Sequence, residues 1–215
     1  MSLLKQKPCI KVCSEALAVS GNDFKKKLFC EFLKSPSFKI ICEYVKVDRP
    51  FLTIMINHGL AVAYKALQGA QNVIHLKPDL QFIFEASLIH DIGSIETHAP
   101  EIDCFGQEHY IRHGIIGAKI FENYNLINFA RVCRNHIGTG ITIEDIDKSN
   151  LPLPRENYIP ETIEEKLICW ADKFYSKGAL AKLYFEKNID NIVSHLKHFS
   201  PKKAEIFLEW NKQFG

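Results

Sequence analysis

The sequence carries no large excess of charge of either sign. Lys and Arg number 27 against 25 Asp and Glu, a formal net charge of +2 with histidine neutral. Such a balance provides none of the single-sign field that steers proteins onto polyanions. The longest basic run, Lys25-Lys26-Lys27, reads as a solvated helix face, and no nucleic-acid partner is expected. No apolar stretch of signal-peptide length follows the first methionine, and no segment approaches the ~20 apolar residues of a membrane helix. The expectation is a cytoplasmic protein that does not enter a membrane. Among seven cysteines (Cys9, Cys13, Cys30, Cys42, Cys104, Cys133 and Cys169) there is no C-x-x-C pair, and the count is odd. Most have apolar neighbours, so they read as buried, reduced thiols and not as disulfides. Cys9 and Cys13 could meet on one helix face, but two thiols alone make a poor metal site. Internal repeats, low-complexity tracts and convincing alternating strands are also missing.

What remains is an ordinary globular composition, 47% hydrophobic and 24% charged, in 215 residues. That is enough chain for one domain with a terminal extension and a real core. Helical periodicity dominates, and the class is all-α. Apolar residues recur at three- and four-residue spacing over 9–19, 24–34 and 51–67, with Pro50 at a plausible helix start. Pro78-Asp79 opens a segment whose apolar run, from Phe82 to Ile89, leads into His90-Asp91. Residues 94–112 read as loop, 113–123 and 126–136 as helices, and 137–160 as a second loop. Within that second loop, Gly138-Thr139-Gly140 lacks the flanking features of a phosphate-binding loop and reads as a turn. Thr162-Ile-Glu-Glu165 matches a capping box and introduces a long helix over roughly 162–187. Further helices are expected at about 190–198 and 201–213.

The nine histidines are the informative residues. His58 lies on a helix, His90-Asp91 at the end of an apolar helix, His113 at the start of one and His136 at the end of another. Asp172 sits inside the apolar run Leu167–Phe174. A helical bundle could point all six side chains inward. Imidazole and carboxylate suit divalent ions such as Fe, Zn and Mn. A carboxylate in an apolar helix face is costly to bury unless it is paired or metal-bound, which applies to both Asp91 and Asp172.

His90-Asp91-Ile92-Gly93 resembles the HDIG motif of the HD superfamily of metal-dependent phosphohydrolases. The likeness extends over about residues 40–180, in the family order His, His-Asp, Asp: here His58, His90, Asp91 and Asp172. His113 and His136 resemble the two further histidines of the two-metal subset, with His113-Gly-x-x-Gly117 like a stretch of that subset. His109 competes with His113 but lacks the glycine context. The resemblance implies an HD-domain helical bundle over 41–180, with an N-terminal helical segment (1–40) packing on it and a C-terminal helical extension (181–215). It implies two divalent ions (Fe, Mn or Zn) bridged by Asp91. His58, His90 and Asp172 would complete one ion, and His113 and His136 the other. Asp91 is the catalytic candidate.

The implied reaction is hydrolysis of a phosphate ester or anhydride of a small nucleotide or related metabolite, with a metal-activated hydroxide as nucleophile. Ser94 stands where many two-metal relatives carry Lys, so the cation expected there is missing. Ser94, His98, Arg112 and Lys173 are the candidates for substrate contact. The longer motif of cyclic-dinucleotide phosphodiesterases is absent, which disfavours that substrate. Two alternatives stay open: a di-iron HD-domain oxygenase acting on a small metabolite, and a metal-stabilised regulatory binding module. A homodimer is possible.

Overall fold

The computed structural model describes residues 23–45, 50–177 and 185–215. Among them are ten α-helices: α1 (Asp23–Phe32), α2 (Pro36–Tyr44), α3 (Pro50–Asn72), α4 (Leu80–Ile89), α5 (His113–Glu122), α6 (Ile127–Asn135), α7 (Ile143–Ser149), α8 (Ile163–Asp172), α9 (Ile189–Phe199) and α10 (Pro201–Phe214). The protein is all-α. Among the described residues, strand is confined to one antiparallel pair of two-residue pieces, β1 (His98–Ala99) and β2 (Cys104–Phe105). The helix expected over 9–19, with Cys9 and Cys13, lies outside the described residues.

Helix α3 is the axis. It is buried on most of its circumference, as a helix that is apolar nearly all round must be, and it packs against α4, α8 and α10. The α3–α4 contact is close because position 59 is glycine. A Cβ there would stand 2.7 Å from the Leu88 Cα and 2.8 Å from the Ser87 carbonyl oxygen. This close approach seats His58 beside His90. Local chemistry starts the other elements. The Asp79 side chain accepts from the Phe82 N–H at the start of α4, and Ser35 and Pro36 begin α2.

Four expectations from the sequence are corrected. The helix expected over 162–187 ends at Asp172; Lys173 and Phe174 close it with short-range bonds to Trp170 and Ala171, and residues 175–177 and 185–188 are not helical. No Gly or Pro marks the break. The break coincides with a tertiary contact: the Phe174 ring lies 5.8 Å from that of Phe207. The loop 137–160 contains α7, which carries a full capping box between Thr142 and Asp145. The box expected at Thr162 forms only in half. Thr162 accepts from the Glu165 N–H, but the Glu165 carboxylate accepts from the Glu161 N–H and from Arg131 instead. Likewise the loop 94–112 holds the β1–β2 pair and short 3-10 turns.

One hydrophobic cluster runs from Leu28 to Phe214. Its C-terminal part is built by α10, whose Phe207 and Phe214 are buried against the Trp170 side of α8. Cys104, Cys133 and Cys169 are buried as expected. Cys30 is exposed, because it sits on the face of α1 opposite the buried Phe29 and Phe32. No helix among the described residues is long and apolar enough to cross a membrane.

Candidate metal centre

Five helices bring six side chains to one point. His58 comes from the middle of α3, His90 and Asp91 from the end of α4, His113 from the start of α5, His136 from the end of α6, and Asp172 from the end of α8. All six are buried. Gly93 sets the entry of α5: a Cβ at that position would lie 2.0 Å from the His113 carbonyl oxygen and 2.4 Å from the Gly117 nitrogen. The glycine of the motif thus lets the chain fold back and place His113 against Asp91.

The ring orientations follow from backbone bonds. Nδ1 of His90, His113 and His136 lies 2.7, 2.7 and 2.8 Å from the carbonyl oxygens of Ser87, Tyr110 and Cys133, each three residues earlier. A carbonyl can only accept, so each Nδ1 carries the hydrogen. In the neutral ring, Nε2 then holds a lone pair and points at the carboxylates. This is the outer hydrogen bond that fixes a ligating histidine's tautomer. His58 is different: its buried Nδ1 has no hydrogen-bond partner.

Asp91 divides the donors into two groups. Its Oδ2 is 3.4 Å from His58 Nε2 and 3.1 Å from His90 Nε2, and the same two nitrogens stand 2.9 and 3.6 Å from Asp172 Oδ1. Its Oδ1 is 3.5 Å from His113 Nε2 and 3.3 Å from His136 Nε2, and those two nitrogens are 3.0 Å apart. Ligand atoms about 2.1 Å from one ion lie roughly 3.0 to 3.4 Å from each other, the spacing seen here. His90 Nε2 and Asp91 Oδ2 are buried without a hydrogen-bond partner. The donor set fits divalent ions by both spacing and unmet valence. His58, His90 and Asp172, and equally His90, Asp91 and His136, could each hold one.

Electrostatics keeps five of the six donors in ligating form. Burial pushes the Asp91 carboxyl up, but the charges of His90 and Lys177 and the close approach of the His136 and His90 rings hold it well below the usual range. For Asp172, burial is likewise outweighed, first by Lys173 and then by His58 and His90. Burial drives His113 well below its ordinary value, with Lys177 and His136 adding to the effect, and it also lowers His136 and His58. His90 goes the other way: burial is overcome by Asp91 and Asp172, and the ring is raised to about 9.

The four substrate-contact candidates part company. Lys173 reaches Asp172 Oδ2 at 2.8 Å and lines a cleft of about 700 Å³ that also takes in Asp172, Tyr110, Lys177, Glu101 and His195. Ser94 is wholly buried. His98 is exposed on β1. Arg112 is bound to Glu108 at 2.6 Å and to the Pro152 carbonyl, on a separate groove. His109 is exposed, its Nδ1 accepting from the Ile111 N–H. Two site residues escaped sequence reasoning. Lys177 Nζ is 2.6 Å from Asp91 Oδ1 and 2.9 Å from the Tyr110 hydroxyl. Burial opposes its charge, but Asp91 and Tyr110 prevail and raise the ammonium above its ordinary value. No pattern signals Lys177, since it lies beyond the unforeseen end of α8. Tyr110 could have been found as the residue three before His113.

The helical fold gathers a buried His/Asp cluster that could hold metal ions. The HD domain family model matches residues 55–176, more than half of the chain, and the chain belongs to that family. A tRNA (cytidine(56)-2′-O)-methyltransferase of Picrophilus torridus is 30% identical over 135 residues, 60% of this chain and 36% of that protein. An uncharacterized protein of Methanocaldococcus jannaschii is 32% identical over 121 residues, 55% of this chain and 64% of that protein. The chain therefore spans only part of the length of these relatives. Among solved structures, the HD domain of the phosphodiesterase PgpH of L. monocytogenes superposes with a TM-score of 0.45 and 16% identity, over 81% of this chain and 94% of that one.

Proposed function

We propose that the protein hydrolyses a phosphate ester or anhydride of a small nucleotide or related metabolite, using two divalent ions (Fe, Mn or Zn) on His58, His90, Asp91, His113, His136 and Asp172. The observation that carries the proposal is the junction of this donor set with a cleft whose wall bears Lys173 and Lys177. Divalent ions in such a site supply the Lewis acidity that draws charge from a phosphoryl oxygen and makes water nucleophilic near neutral pH.

The chain's own residues do the positioning. Asp91, the catalytic carboxylate in this reading, turns one oxygen to each histidine pair. The Ser87, Tyr110 and Cys133 carbonyls lock three imidazoles so that no side-chain reorganisation is needed when a ligand arrives. Lys173, on the outer oxygen of Asp172, adds positive charge beside the cleft. Packing of α3, α4 and α8 around the donors keeps bulk water out, so that each charge acts at low dielectric.

The test is turnover of metal-loaded protein on a panel of phosphomonoesters, phosphodiesters and nucleoside polyphosphates. The reading expects phosphate release on at least one of them, and a loss of about 100-fold or more for Asp91→Ala. No phosphate release on any of them would contradict it, and O₂ consumption by the iron-loaded protein in its place would move the chemistry to that of an oxygenase.

A further inference from the structure

We infer that Lys177 binds a non-bridging phosphoryl oxygen of the substrate, with Tyr110 holding its ammonium where the cleft meets the His/Asp centre. The inference rests on the phosphohydrolase reading above and gives that site its anion-binding residue. Position 94, directly after the His-Asp-Ile-Gly run, is a serine with a wholly buried side chain, so no cation can act from there. Arg112 belongs to another groove. Among the described residues, the cations that both line the cleft and touch a carboxylate of the centre are Lys173 and Lys177.

The two lysines differ in which oxygen they hold. Lys173 is on Asp172 Oδ2, whereas Asp172 Oδ1 is the oxygen that faces His58 and His90. An ion among those donors leaves the Lys173 contact intact. Lys177 is on Asp91 Oδ1, the oxygen that also faces His113 and His136. An ion among those donors and the ammonium compete for one oxygen. A divalent ion on that oxygen would repel the ammonium and weaken the Lys177–Asp91 pair, while the Tyr110 hydroxyl, at 2.9 Å, would still hold Lys177. The Tyr110 ring adds to the restraint: its centroid is 5.5 Å from the ammonium, and it stacks on His113. An ammonium loosened in this way, half-buried in the cleft wall, gains from an incoming anion, and Lys177 itself lines the cleft from which one would arrive.

The experiment is calorimetric titration of inorganic phosphate into metal-loaded wild type, Lys177→Met and Lys177→Arg, with metal content and melting temperature measured on each. The expected result is phosphate binding weakened by about ten-fold or more in Lys177→Met and largely restored in Lys177→Arg. Metal content should be at least that of the wild type in both variants. Wild-type affinity in a folded, loaded Lys177→Met protein would overturn the inference and leave the phosphohydrolase reading standing. Loss of metal in Lys177→Met would overturn it by making Lys177 a support of the metal centre. No phosphate binding by the loaded wild type would overturn both.

Discussion

The Nε2 atoms of His113 and His136 face each other at 3.0 Å in the buried centre. Each ring donates its Nδ1 hydrogen to a backbone carbonyl, and burial drives both rings toward the neutral form. Two lone pairs then oppose each other beside the Asp91 carboxylate. A cation resolves the conflict, so metal should stabilise the fold. At free metal about 100 times the dissociation constant the gain is roughly 2.7 kcal/mol, or about 5–10 °C in a chain of this size. Chelation should lower the melting temperature of the wild type by that order, and His136→Ala should reduce the shift. Differential scanning calorimetry with and without chelator checks both.

Gly93→Ala should damage fold and site together. Its Cβ would sit 2.0 Å from the His113 carbonyl oxygen, which is backbone and cannot rotate away. The expected cost is about 3 kcal/mol, at the upper end for overpacking, together with lower metal content because His113 is displaced. Denaturant unfolding and elemental analysis of one preparation measure both.

The C-terminal helices belong to the core. Phe207 is fully buried beside Phe174, and α10 packs on α3 and α8. Phe207→Ala should cost about 3–5 kcal/mol in urea unfolding. A cost below about 1 kcal/mol would mean that α10 is not docked as described.

Asp145 links α7 to α10 through Lys203, whose ammonium lies 2.6 Å from its Oδ2 and 2.6 Å from the Gly140 carbonyl oxygen. Burial raises the Asp145 carboxyl, but Lys203 and the Thr142 N–H outweigh it and the net shift is downward. A lowered folded-state value means that the contribution is complete above the unfolded carboxyl's range and is lost as pH falls through the folded one. Lys203→Met should therefore cost roughly 1–2 kcal/mol at neutral pH, and the difference from wild type should shrink in acid. Urea unfolding of the pair at pH 7 and in the acid range reads this directly.

Much of this was legible in the sequence, for identifiable reasons. The apolar run before His90-Asp91 and the isolated carboxylate in Leu167–Phe174 marked buried charge, and buried charge needs a partner. The resemblance to the HDIG family, with its order of ligands, then linked His58, His113 and His136 to them, and the structure brings these six side chains together. The helices with strong period and clear starts, such as α3, α9 and α10, were visible for the same reason. What stayed hidden depends on tertiary contacts. The end of α8 coincides with the contact of Phe174 with Phe207, not with any local stop signal. Lys177 came into the site only because α8 ended early. The helix α7 is a different case: its Thr142-x-x-Asp145 box was present in the sequence and went unread among the prolines around it.

The central claim is that His58, His90, Asp91, His113, His136 and Asp172 form a metal centre. Elemental analysis of protein purified without added metal or chelator, beside a His90→Ala/Asp91→Ala double variant, tests it most directly. About two equivalents of divalent metal per wild-type chain are expected, lost in the folded double variant. No metal in the wild type, even after reconstitution with Fe, Mn or Zn, would contradict it.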